Sequence, residues 1–392
     1  MSLFGLNDTN RVDDSDAQHG VPFALRTPEE ISAERRSARR RTTGWTVLVI
    51  ALVLGLVMSF LPTPYVIEQP GPVFDTLGSQ TVEGKDTPLI SIDGEPTYPT
   101  GGTLDMLTVS VVGTPKQTPS WAEVVQAYFD SSKAVVPLEA VYPPDVTTEQ
   151  RDEQNAALMV DSQQEAIAAA LSSLGYDFTT SVSVGSVAKG SPAEGELEAG
   201  DVVTSVNGQA VGSIDQLRAA VAANGTDKPA VVDVTRAGAP IEASVTPITS
   251  GDTSVLGIGV QASFEFPFDV KIQLDNVGGP SAGMMFALGI IDKLSDGELN
   301  GGQKVAGTGT ISADGTVGPI GGIRQKLFGA RDAGADWFLA PASNCDEVTG
   351  HVPDGIRVFA VATLDDSLAA LKAISSGSGL DALPTCDAST AK

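Results

Sequence analysis

The sequence predicts an α+β fold behind one membrane-spanning helix, with a small β-rich domain interrupting a larger one. Three features carry this reading. Residues 45–61 read WTVLVIALVLGLVMSFL without a single charge. Residues 177–248 pack short β patterns between Gly-rich turns, and residues 262–374 alternate strand and helix patterns.

At about 1.5 Å per residue the apolar run nearly crosses a hydrocarbon core of roughly 30 Å, with Pro62 and Tyr65 at the far interface. Arg35, Arg36, Arg39, Arg40 and Arg41 precede it. Basic residues stay on the cytoplasmic side, which places the N-terminus inside. A cleaved signal peptide is the rival. Residues 1–43 alone are too many for a signal-peptide n-region, and no A-x-A site follows the run. Residues 44–63 are therefore read as a retained transmembrane helix, and 1–43 as a cytoplasmic tail. That tail is polar and aperiodic over residues 1–30, so it is expected to be mostly disordered. The rest of the chain is expected outside the cytoplasm.

The net charge of −25 falls entirely after residue 43, since the tail holds seven Arg against seven Asp and Glu. Such a surface repels phosphate backbones, so nucleic-acid binding is excluded as an expectation. Cys345 and Cys386 are the two cysteines. With no His cluster beside them they cannot build a zinc site, and no metal is expected. Outside the cytoplasm they could form one disulfide tying the 375–392 tail to the last domain; the alternative is two free thiols.

Tyr65–Ile67, Pro88–Ile92 and Leu104–Val112 are β-rich runs broken by Gly and Pro. Thr148–Leu174 is helical, with Ala157, Val160, Ile167, Ala168 and Leu171 apolar and Gly175 as its stop. In 177–248, Val182–Val187 is a strand and Asn207-Gly208 a tight hairpin turn. Ser213–Ala223 is a helix, and Ala230–Val234 and Ile241–Val245 are strands. The string GSPAEG-LEAGDVV-SVNGQAV-S-DQL in this unit resembles the bacterial PDZ domain. That implies either a peptide ligand held by strand addition or a plain spacer. Further on, strands are expected at Phe268–Leu274, Gln303–Ile311, Thr316–Ile320, Trp337–Ala340 and Val358–Ala360. Helices are expected at Ser281–Leu294, Ile323–Ala333 and Leu364–Ile374.

The chemistry-bearing string is Gly278-Gly279-Pro280-Ser281-Ala282-Gly283. Small residues flank a serine where a helix starts. Unpaired N–H groups and the positive end of the helix dipole would there stabilise an alkoxide or an oxyanion. The bland alternative is an N-cap serine. A nucleophilic serine needs a base. His19 lies in the cytoplasmic tail, and His351 sits in a loop with no orienting motif. In the predicted helix from Ile323, residues Ile323, Lys326, Leu327 and Ala330 share one face, with Arg324, Gln325 and Arg331 elsewhere. Lys326 is thus the cation turned toward the core, where burial would lower its pKa toward the neutral form of a general base. The alternative is a lysine that snorkels to water.

Residues 275–374 resemble the proteolytic domain of Lon proteases. The matching strings are Gly279–Gly283, Val305-Ala306-Gly307-Thr308-Gly309, Gly315–Ile323 and Lys326-Leu327, in the family's order and spacing. Gly101–Val109 and Ser162–Leu171 resemble the family's early strand and the helix after it. The resemblance implies a Ser281–Lys326 dyad, with Thr308 positioning the lysine. Gly279, Pro280 and Ala282 would lie along the oxyanion and substrate backbone. It also implies a catalytic domain split into residues 64–176 and 249–374, with the PDZ domain inserted at 177–248. The whole layout resembles YlbL-type Lon-like proteases of bacteria. It therefore implies a single-pass protein of the bacterial cell membrane that forms homo-oligomers, rings of six being common in the family. The implied activity is a serine endopeptidase acting on polypeptides without a cofactor, and a non-enzymatic PDZ scaffold is the alternative. No G-x-x-x-x-G-K-[ST] loop occurs in the sequence, so no P-loop ATPase is expected to feed it substrate. Thr310 stands where Lon proteases commonly carry a glutamate.

Overall fold

A computed structural model describes residues 28–386 apart from 83, 145, 252, 275 and 276. The tail expected to be disordered lies outside the described residues up to 27. A helix starts at Pro28 and runs to Phe60, taking in the last part of the expected tail, residues 28–43. Proline suits a first helical turn, and the Glu, Ala and Arg that follow favour a helix. Side chains are described from residue 42 to 58. Among the described residues, no helix is long and apolar enough to cross a membrane.

The chain separates into two compact units, Met1–Leu61 and Pro62–Lys392. The second is built on a six-stranded sheet in the order Arg357–Val361, Trp337–Pro341, Lys304–Gly307, Thr103–Val112, Tyr65–Asp75, Ala134–Pro137. The first four strands are parallel, and the last two add antiparallel. On one face lie the helices Thr148–Ser173, Gly283–Leu294 and Leu364–Ser376. The middle of the three is apolar nearly all round, so it is buried all round; Met284, Met285, Phe286, Leu288 and Ile290 are fully enclosed. On the other face the Ile323–Asp332 helix packs Ile323, Leu327 and Ala330 against Phe338 and Val358. The helix Trp121–Tyr128 and the strand Ala134–Pro137 were not foreseen. The helix had a visible signal in Ser120-x-x-Glu123, which forms a capping box.

The interrupting domain is a second, antiparallel sheet in the order Ala239–Val245, Ala230–Arg236, Val202–Val206, Thr179–Val187, Ile258–Glu265, with the helix Ile214–Asn224 beside it. Its last strand lies beyond the 177–248 boundary read from the sequence. Periodicity over 249–265 could not reveal which sheet this strand joins. Its partner is the entering strand, paired from Glu265↔Thr179 to Ile258↔Val187. At the base of this ladder Phe178, Phe264 and Phe266 cluster, with ring centroids 5.3–6.0 Å apart. They close the neck where the chain leaves and re-enters the larger domain.

Cys345 and Cys386 are joined by a disulfide across 41 residues. Thr349 Oγ1 donates to the Cys386 carbonyl at 2.9 Å, and the Ala360 N–H donates to the Pro384 carbonyl at 2.9 Å, so the tail is laid down as far as Cys386. A loop of this length gives a chain-entropy contribution of about 4 kcal/mol at most. The double variant Cys345→Ser, Cys386→Ser should therefore lower the denaturation midpoint by an amount within that bound. No change in midpoint would show that the bond contributes nothing.

Candidate active site

Ser281 lies just ahead of the Gly283–Leu294 helix rather than in its first turn. Ala282 is the N-cap residue, and no side chain caps the helix. Four neighbours fix the turn. The Gly279 N–H donates to the Asn155 carbonyl at 3.0 Å, and Ser162 Oγ donates to the Pro280 carbonyl at 3.0 Å. Both partners belong to the Thr148–Ser173 helix. On the other side, Gly309 N–H and Thr308 Oγ1 each donate to the Ser281 carbonyl at 2.9 Å, while the Met284 N–H donates to the Gly309 carbonyl at 3.1 Å. The serine hydroxyl is left unused by the helix, which removes the N-cap alternative.

Lys326 arrives from below. Its helix starts after Gly322, whose φ of 68° is left-handed, and a Cβ there would sit 2.7 Å from Val109 Cγ2. Both facts require glycine. Asn344 holds the approach by accepting from the Ile320 N–H and donating to the Ile320 carbonyl, both at 2.9 Å. Lys326 is only 2 % exposed, so it does not snorkel to water. Burial alone pushes its ammonium pKa down to about 7. Its Nζ lies 2.8 Å from Ser281 Oγ and 2.9 Å from Thr308 Oγ1.

These contacts form one directional chain. Neutral lysine donates one N–H to Thr308 Oγ1, and Thr308 passes its own proton toward the Ser281 carbonyl. The Nζ lone pair is then free to accept the Ser281 hydroxyl proton. The chain depends on Thr308 staying in place, and glycines on both sides allow it. A Cβ on Gly307 would lie 2.6 Å from Met285 Sδ, and one on Gly309 would lie 2.9 Å from Val317 Cγ1. Gly309→Ala should therefore cost about 1–3 kcal/mol in stability through overpacking, and lower activity by displacing Thr308. Full activity in that variant would show that the threonine's placement does not matter.

A cleft of about 480 Å³ opens over Ser281 and Lys326, walled by Pro72, Phe74, Met106, Thr108, Met159 and Val277. Gly279, with φ 89° and nothing within 4 Å of a Cβ position, stands open, and Ala282 lines the cleft floor. Pro280 offers no N–H, so its part is limited to shaping the turn. His351 hydrogen-bonds within its own loop through Nδ1 and the Thr349 carbonyl, 3.1 Å apart. Gln325, expected to point away from the core, is buried beside Lys326; a helix this enclosed has a wider buried face than its apolar stripe. Ser162 was missed. Its only signal was a small polar residue among the alanines of an apolar helix face.

Residues 274–373 match the family described as the Lon protease (S16) C-terminal proteolytic domain, and residues 183–236 match the PDZ domain family. The chain carries a Lon-type proteolytic domain and a PDZ domain. Over 94 residues it is 39% identical to Lon protease 1 of Sorangium cellulosum, which covers 23% of this chain and 11% of that one. Over 118 residues it is 36% identical to Lon protease 2 of Herpetosiphon aurantiacus, covering 28% of this chain and 14% of that one. The chain thus spans only a small part of the length of these curated relatives. Among solved structures, the PDZ domain of an SdrC-like protein from Listeria innocua is 27% identical, covering 20% of this chain and 92% of that one, with a TM-score of 0.20.

Proposed function

We propose that this chain is a membrane-anchored serine endopeptidase that works without ATP on flexible or presented segments of extracytoplasmic polypeptides. The observation that carries the proposal is the hydrogen-bonded chain of a buried lysine, Thr308 and Ser281 on the floor of an open cleft. Neutral Lys326 takes the Ser281 proton as Oγ attacks the scissile carbonyl. The oxyanion falls to backbone N–H groups at the Ser281-Ala282 turn, where the helix dipole also points. The lysine ammonium then protonates the leaving amine, and water releases the acyl-enzyme by the same route in reverse.

Substrate binding has a physical basis in the sheet. The strand Thr103–Val112 pairs with Lys304–Gly307 only from Thr103 to Met106. The next residues, Leu107–Ser110, line the cleft, and their edge suits an added extended peptide. The Ile258–Glu265 strand of the PDZ domain is likewise the last in its sheet. A groove of about 380 Å³ beside it is lined by Ile214, Gln216 and Phe264, and also by Glu165 and Asp314 of the proteolytic domain. A peptide docked there would touch the helix that bears Ser162, which supports gating by the PDZ domain. Excising residues 179–265 with a short linker should then change the rate of peptide cleavage; an unchanged rate would count against gating.

Anchoring is supported by the first unit. Trp45, Leu48, Ile50, Leu52, Leu54 and Leu56 are all about half exposed or more on an uninterrupted helix, which is costly in water. The Lon likeness supports self-assembly, with a ring of six as the form to test. The deciding experiment is substrate trapping, comparing membrane proteomes with Ser281→Ala and with the intact protein. Polypeptides that accumulate with the variant name the substrates; identical proteomes would sink the peptidase reading.

A further inference from the structure

The short helix Trp121–Tyr128 leaves an apolar face uncovered. Val124 and Ala127 are buried beneath it, while Val125, Tyr128 and Phe129 stand 54%, 79% and 83% exposed. Tyr128 and Phe129 meet edge to face, with ring centroids 5.8 Å apart. Aromatic groups left this open mark a surface that something else covers.

The position of this face within its unit identifies the partner. Pro62 bridges to Ser120, the cap of this same helix. The Thr63 N–H donates to Thr118 Oγ1 at 3.2 Å, Thr63 Oγ1 donates to the Pro119 carbonyl at 2.9 Å, and the Tyr65 and Trp121 rings meet edge to face. The helix is therefore fastened to the first residues that follow the apolar run. Eight residues span about 12 Å, which keeps the patch close to that point. Local charge fits as well. Residues 112–133 hold Lys116 and Lys133 against Glu123 and Asp130, a neutral segment in a chain with net charge −25. Of these four, Glu123 is occupied with its capping box, and Lys133 lies 3.6 Å from Asp130. Tyr and Trp are the residues that settle at a membrane interface, with an apolar body and a polar tip.

We propose that the Trp121–Tyr128 helix docks Val125, Tyr128 and Phe129 into the headgroup–acyl boundary of the bilayer that the chain leaves at Pro62. The inference rests on the membrane-anchor reading. Docking fixes a second point beside the anchor, so the catalytic unit is held in one orientation over the lipid instead of swinging from a tether.

The test uses the full chain in phosphatidylcholine vesicles at about one chain per vesicle. An environment-sensitive fluorophore is placed at Phe129→Cys, and in a reference variant at Lys189→Cys in an exposed PDZ turn. Nitroxide lipids labelled at the headgroup should quench the label at 129 several-fold more than the label at 189, and aqueous iodide should do the reverse. Carbonate extraction of the same vesicles reports the anchor independently. Membrane retention without lipid quenching at 129 would overturn the docking and leave the anchor standing. Emission that shifts only as chains are crowded into the vesicles, with no lipid quenching, would assign the face to a second copy of the chain. Extraction by carbonate would remove the anchor and the docking together.

Discussion

Ser281→Ala should lower kcat/KM for an unstructured peptide by at least about four orders of magnitude. Lys326→Ala should cost about as much, and the double variant should be little worse than either. The reason lies in the contacts. Lys326 Nζ is hydrogen-bonded only to Ser281 Oγ and Thr308 Oγ1 among the described residues, so it serves no other visible end. Either deletion destroys the same proton transfer. Lys326→Arg should not rescue the loss, because guanidinium stays protonated and cannot act as a base. A serine-reactive phosphonate should label the intact chain and fail on all four variants. Labelling that persists in Ser281→Ala would move the nucleophile elsewhere. Additive losses in the double variant would mean that the two residues do not act as a unit.

How far this site was legible in the sequence depends on the kind of signal each part left. Lys326 could be picked from helical spacing alone, since Ile323, Leu327 and Ala330 bracket it on one face that the structure buries. Ser281 could be placed at a helix start but not assigned a role, because a capping serine writes the same string. Only the fold shows that its hydroxyl faces Lys326 and that its carbonyl, not its side chain, is held by Thr308 and Gly309. Contacts between distant segments left no local mark. Ser162 reaches Pro280 across 118 positions, and its hydroxyl sits on a helix face that reads as plain core. The parallel strands were readable as short apolar runs, whereas the order of strands in the sheet was not. The strand Ile258–Glu265 pairs into the PDZ sheet beyond the boundary drawn at residue 248 for the same reason: period-two patterning gives the faces of a strand but not its neighbours.

Lys326→Met should inactivate the protein and also stabilise it below neutral pH. The folded pKa of Lys326 is about 7, against an ordinary lysine value of about 10.4. Between these values the unfolded chain binds more protons than the folded one, so stability rises with pH across that window. Below about 7 both states hold the proton, and the buried ammonium costs its full desolvation penalty, at most about 4–5 kcal/mol. Methionine fills a similar volume without that cost, but forfeits the bonds to Ser281 and Thr308, worth about 1 kcal/mol each at most. The net gain at pH 6 should be roughly 3 kcal/mol and should shrink toward pH 10. Asp105, which burial pushes up to about 6, also makes stability depend on pH, but it is present in both proteins and cancels in the comparison. The same ionisation governs the intact enzyme from the other side: kcat/KM should fall tenfold per pH unit below about 7 and level off above it, where the base is neutral. Denaturant midpoints of the two proteins at pH 6 and pH 9, set beside a pH–rate profile, check both limbs. A variant less stable at pH 6, or a rate that is flat through neutrality, would show that Lys326 is not held as the neutral base. The price of the dyad is then a lysine kept where it weakens the fold, and the pH at which it turns active is the pH at which that penalty begins to lift.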